Sequence, residues 1–72
     1  MAEFRFLGYL SEIVGAQIRQ IPLEKPTRLR DILAPSFPEK DIIFLIDQKV
    51  GNLDSIIEDN NSVVIMPILS GG

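Results

Sequence analysis

The sequence predicts an α+β domain: a mixed four- to five-stranded sheet with one main helix packed across it. Three observations carry that expectation. Segments of strand length recur along the chain. One stretch near the middle sets apolar residues at helical spacing between clear start and stop signals. The 72 residues leave room for one domain and no second. One helix laid on such a sheet covers the apolar face of both.

The elements follow in order. Within AEFRFLGY, Ala2 to Tyr9, Phe4 and Phe6 alternate with Glu3 and Arg5. That period of two marks a half-buried strand with both phenylalanines toward the core. Leu7 then falls on the opposite, polar face. Leu10, Ile13 and Val14 are spaced i, i+3, i+4, so a short helical turn is expected, ended by Gly15 at positive φ. Gln17 to Leu23, QIRQIPL, reads as a second strand with Pro22 near its end. The short link lets these two strands form a hairpin.

The segment EKPTRLRDILAP holds the main helix. Thr27 is its candidate N-cap, and Leu29, Ile32 and Leu33 form its apolar stripe. Pro35 cannot continue a helix and disfavours helical geometry at Ala34. Arg30 stands where a capping box would place an acid, so the cap is an ordinary one.

The continuous run Ile42 to Ile46 predicts a central strand buried on both faces. DQKVGN supplies turn residues and a short edge strand around Lys49 to Asn52. LDSII, Leu53 to Ile57, reads as another helical turn, and Glu58 to Ser62 as a polar turn. Val63 to Leu69 is the last strand, with Pro67 at its end or on an edge. The order is thus β, β, α, β, short β, β.

Composition bounds the function. Apolar residues make up 46% and charged residues 24% of the chain, as in soluble globular domains. A chain this short buries only roughly 60% of its unfolded surface, so its core is thin. The net charge of −3 repels phosphate backbones and argues against nucleic acid as a partner. No apolar run approaches the ~20 residues of a membrane span. The N-terminus lacks a signal peptide's basic and apolar regions. The expectation is a cytoplasmic protein that works away from membranes.

The chain has no His and no Cys. Thiolate nucleophiles, imidazole bases, Cys/His zinc sites and iron–sulfur clusters are thereby excluded. Gly15 and Gly51 are single turn glycines, not a phosphate-cradling loop. No constellation for an enzyme acting alone emerges. Arg5 and Arg19 read as solvated strand residues, Asp54, Glu58 and Asp59 as a solvated acidic turn region, and Tyr9, Phe37 and Phe44 as packing residues.

The chain closes on PILSGG. Glycine lacks a Cβ, so Gly71-Gly72 is narrow and takes φ values that other residues avoid. Such a tail, residues 69–72, is expected to be flexible; either the chain was trimmed there or the end itself is the working part. Ser70 keeps the position before the glycines small.

FRFLGYLSEIVG at the front and VVIMPILSGG at the end resemble the MoaD/ThiS group of ubiquitin-like sulfur carriers, whose fold is the β-grasp. The similarity covers the whole chain and is closest to the small subunit of molybdopterin synthase. Two features depart from that pattern. Only one proline precedes the glycines, with Ile68-Leu69 and Ser70 around it, and IDQKVGN lacks an Asn-Gly hairpin turn.

The resemblance implies a chemistry. The carboxylate of Gly72 would be adenylated and then converted to a thiocarboxylate that donates sulfur, with Gly71 allowing the tail to thread into partner sites. No cofactor would be bound, and ATP would be consumed by the activating partner. The partners would be a ubiquitin-activating-type adenylyltransferase and the large subunit of molybdopterin synthase. Leu7 and Met66, out of phase with the core pattern, and Val50, on the polar loop strand, would form an apolar docking patch, with Leu69 and Ser70 as further partner-binding residues. Three alternatives stay open: a modifier joined through Gly72 to lysines, a sulfur carrier for thiamin or tRNA, and a β-grasp binding module without carrier chemistry.

Overall fold

The computed structural model describes residues 1–68. The elements are β1 (Ala2–Phe6), α1 (Leu10–Val14), β2 (Ile18–Ile21), β3 (Thr27–Arg28), α2 (Leu29–Ile32), β4 (Ile42–Ile46), β5 (Lys49–Gly51), β6 (Ile56–Ile57) and β7 (Ser62–Pro67). Five strands form one sheet in the order β2-β1-β7-β4-β5, and β3 and β6 form a separate pair.

The alternation of β1 decides which face is buried. Ala2, Phe4 and Phe6 are buried, while Arg5 between them is exposed. β2 folds back antiparallel on β1, with Phe4 opposite Arg19, as the short link through α1 and Gly15 requires. Gly15 takes φ 85° and donates its N–H to the carbonyl of Ser11. β7 runs parallel to β1, with Phe4 beside Val63 and Phe6 beside Ile65. β4 lies antiparallel on the other side of β7, with Phe44 opposite Ile65. Phe4, Leu10, Leu29, Ile57, Val63 and Ile65 are fully buried. Each such side chain contributes about 1.5–3 kcal/mol relative to its exposed state. Phe37 closes the core from the loop after α2, its ring centroid 6.1 Å from that of Phe6.

Three local expectations are corrected. The stripe of Leu29, Ile32 and Leu33 forms one helical turn, α2, in place of a longer helix. Thr27 does not cap it. Thr27 belongs to β3, opposite Ile57, and its hydroxyl donates to the carbonyl of Lys25 at 2.8 Å. Arg28 holds the cap position in extended geometry without a side-chain cap bond. Pairing with β6 holds the front of the segment extended. Leu33 is already extended at φ −83°, ψ 153°, two residues before Pro35.

The segment Leu53 to Ile57 is a turn followed by strand β6, not a helical turn. Asn52 organises it by accepting the N–H of Asp54 on Oδ1 at 2.7 Å and the N–H of Ser55 on its carbonyl at 3.0 Å. Two β-branched isoleucines then favour extension.

β4 is not the central strand. It lies between β7 and β5, and only Phe44 is buried in it. The two helices and the β3–β6 pair cover one face of the sheet, so Ile43 and Leu45 remain half-buried on the other.

Candidate functional site

The uncovered face of the sheet gathers apolar side chains into rows set by strand register. Leu45 stands opposite Val50 on one side and opposite Val64 on the other. Ile43 stands opposite Met66. Residues paired across strands share a face, so these five lie together. Val50 is 80% exposed and Leu7 42%, and Met66 is half-buried. Leu7 sits one residue beyond β1, and its N–H donates to the carbonyl of Ile65 at 2.9 Å, next to Met66. The structure therefore brings Leu7, Val50 and Met66 onto one face. Sequence reasoning missed Ile43, Leu45 and Val64 on that face. For Ile43 and Leu45 the signal was the unbroken apolar run of β4, read as burial on both sides; for Val64 it was the parity it shares with Met66 in β7.

The same face leads to the exit of β7, which is held from two directions. On one side lies Gly8 at φ 58°, where a Cβ would come within 3.2 Å of Pro67 Cγ. On the other, the N–H of Ile68 donates to the carbonyl of Asp41 at 2.8 Å. Asp41 itself takes φ 60°, the left-handed conformation that Asp tolerates better than most residues. Chain direction is thus set as far as Ile68. Leu69, Ser70, Gly71 and Gly72 lie outside the described residues.

Electrostatics elsewhere are structural. Arg30 bonds Asp54 at 3.1 Å and approaches Glu39 at 3.6 Å. The hydrogen bond and the charge of Asp54 raise its pKa further. Asp59 accepts the N–H of Leu23 at 2.8 Å and meets the N-terminal ammonium at 3.3 Å. That backbone bond first, and the ammonium second, hold its carboxyl below the ordinary aspartate value. Among the described residues no side chain of polar or charged type is buried, and no group of three or more acidic ligands could hold a metal ion. No described helix is long and apolar enough to cross a membrane. The arrangement presents an apolar face on one side of the sheet, with the end of β7 at its rim.

A five-stranded mixed sheet with β1 and β7 parallel at its middle, covered on one face by short helices, is the ubiquitin-like β-grasp. Solved structures share it over nearly the whole chain. The crystal structure of SAMP1 from Haloferax volcanii aligns at TM-score 0.75 and 14% identity, covering 99% of this chain and 98% of that one. Another crystal structure of that small archaeal modifier protein 1 aligns at 0.74 and 11%, covering 94% and 97%. A Pyrococcus furiosus protein given the provisional name molybdopterin converting factor, subunit 1, aligns at 0.70 and 14%, again covering 94% and 97%. No protein-family model matches the sequence, and a search of curated proteins finds no significant match. At these identities the likeness establishes the fold.

Proposed function

We propose that the chain is a ubiquitin-like carrier whose Gly72 carboxylate is activated by a partner enzyme and loaded with sulfur, acting as the small subunit of molybdopterin synthase. One observation carries the reading: β7 ends beside an exposed apolar face, and Gly71-Gly72 follow it in the sequence. A carboxylate is an anion and a poor electrophile. It therefore attacks the α-phosphate of ATP held by an adenylyltransferase, expelling pyrophosphate. Hydrosulfide then displaces AMP and leaves a terminal thiocarboxylate. The sulfur thus travels on the main chain, in keeping with a sequence that contains no Cys. Leu7, Val50 and Met66, joined by Ile43, Leu45 and Val64, form the docking face for the large subunit. The likeness to the Pyrococcus furiosus protein supports this branch.

The test is the intact mass of the protein from its own cell, and again after treatment with the activating enzyme, ATP and a sulfur donor. Replacement of one oxygen by sulfur at Gly72 is expected. A native chain that continues past Gly72, or an unchanged mass with a competent enzyme, overturns the reading.

A second reading has its own support, since two of the similar structures are of a protein named a modifier. There the same adenylate is passed on to lysine amines of other proteins. Peptide mapping would then find Gly72 in isopeptide linkage, and its complete absence from all conjugates removes this reading.

A further inference from the structure

β2 forms one edge of the five-stranded sheet and, among the described residues, pairs only with β1. Among those residues its other flank carries main-chain donors and acceptors with no strand partner, a template for an added strand. Its protections are its four-residue length and one charged side chain, Arg19. Pro22 comes only after the strand, and all of Ile18, Arg19 and Gln20 are exposed.

Beside this edge, on the helical side of the sheet, runs a groove of ≈ 400 Å³. Phe6, Ile13, Val14, Ile21 and Leu33 form its apolar walls. Arg19 and Ile21 stand opposite Phe4 and Ala2 in the register, so both sit on the groove side of β2. A strand laid along β2 would therefore project every second side chain over the groove.

The groove has a charge preference. Arg19 lines it and, among the described residues, donates only to the carbonyl of Val14, at 3.3 Å. Arg5 and Arg30 each meet a carboxylate within salt-bridge distance, and among the described residues Arg19 does not. No Asp or Glu of the described residues lines this groove.

We propose that the free edge of β2 and the groove beside it receive an extended segment of a partner protein, apolar at alternate positions and carrying a carboxylate for Arg19. Main-chain pairing supplies the affinity, and the groove with Arg19 supplies the selection. A second copy of this chain is a poorer occupant, because Ile18–Ile21 contains no acid and brings a second Arg19 toward the first. The inference does not rest on the carrier reading, since this edge lies on the far side of β1 from β7.

The test uses the full-length protein, isotope-labelled, titrated with a short capped peptide of alternating valine and isoleucine flanked by aspartates. Saturable amide shifts at Ile18–Ile21 are expected, together with methyl shifts at Ile13, Val14 and Leu33. Replacing the aspartates by lysines should weaken binding, and Arg19→Glu should reverse the preference, each by about tenfold, because juxtaposed like charges are strongly disfavoured. N-methylation of alternate peptide amides should abolish binding, because it removes the main-chain donors. Chemical shifts of R19E away from the substitution check that its fold is intact. No shifts at millimolar peptide, equal binding of the N-methylated peptide, shifts confined to the opposite face, or a dimer paired through β2 in sedimentation would each overturn the proposal.

Discussion

Asp47 accepts the backbone N–H of Ser62 on Oδ1 at 2.9 Å, tying the turn between β4 and β5 to the first residue of β7. The same carboxylate accepts from the side-chain amide of Asn61, and the N–H of Asp47 donates to the carbonyl of Ser62 at 2.8 Å. Asp47 and Gln48 take φ 50° and 71°, the pair of left-handed residues that a two-residue hairpin needs. The turn thus forms without glycine because the Asp47 carboxylate anchors it elsewhere.

Removing that anchor should cost stability. Asp47→Ala leaves two donors without their partner, and a loss of about 1–2 kcal/mol is expected. Gln48→Gly should act in the opposite sense, by up to about 1 kcal/mol, because a non-glycine residue is held left-handed there. Urea denaturation with an unchanged m-value checks both.

Gly8 bears on the exit of β7. Gly8→Val demands positive φ from a β-branched residue and sets its Cβ against Pro67 Cγ at 3.2 Å. A loss of at least about 2 kcal/mol is expected. If the tail works as proposed, adenylation of Gly72 should slow in the same variant under conditions where it remains folded. Thermal unfolding and an ATP–pyrophosphate exchange assay read the two effects separately.

Val50 separates docking from folding. It is 80% exposed, so Val50→Asp should change stability by no more than about 0.5 kcal/mol. If the proposed docking face is right, binding to the large synthase subunit should weaken by about tenfold, in line with the roughly 1–2 kcal/mol of an interface contact. Calorimetric titration beside a denaturation curve makes the comparison. Ile65→Ala is the contrasting case. It empties a fully buried site beside Phe6 and should cost about 2–5 kcal/mol, enough to unfold much of a domain of this size.

Asp59 sets part of the acid limb of stability. Its folded pKa lies below the ordinary value, first because of the Leu23 N–H and then because of the N-terminal ammonium. Between those two values the unfolded chain binds the proton more readily. The stabilisation is therefore complete above the ordinary aspartate pKa and is lost as pH falls through the folded one. Asp59→Asn should flatten that limb, as denaturation midpoints measured from neutral to acid pH would show.

Much of this was legible in the residues themselves. The alternation of Phe4 and Phe6 fixes the buried face of β1, and from it the outward parity of Leu7 follows. The same reasoning turns Met66 outward, while Val50, read only as part of a polar loop strand, joins the uncovered face through its register opposite Leu45. Leu29, Ile32 and Leu33 misled, because their spacing suits a helix of any length, while the pairing of Thr27 and Arg28 with β6 is non-local and invisible to periodicity. Ile56-Ile57 carried the opposite hint, as β-branching favours extension, but two residues are too few to show a period. The Asp47-Gln48 turn was hidden because its stabilising partners, Asn61 and Ser62, lie far along the chain. The groove beside β2 was equally hidden, since its walls come from separate elements.

The parallel contact of β1 with β7 puts the first strand against the last at the middle of the sheet. A nascent chain that has emerged only as far as Asn61 therefore has a hole where its spine should be. The nascent protein stays open, and exposed to chaperones and proteases, until residues 62–67 clear the exit tunnel. Closure then depends on contacts between residues far apart in sequence, which makes folding slower than in a helical bundle of similar size.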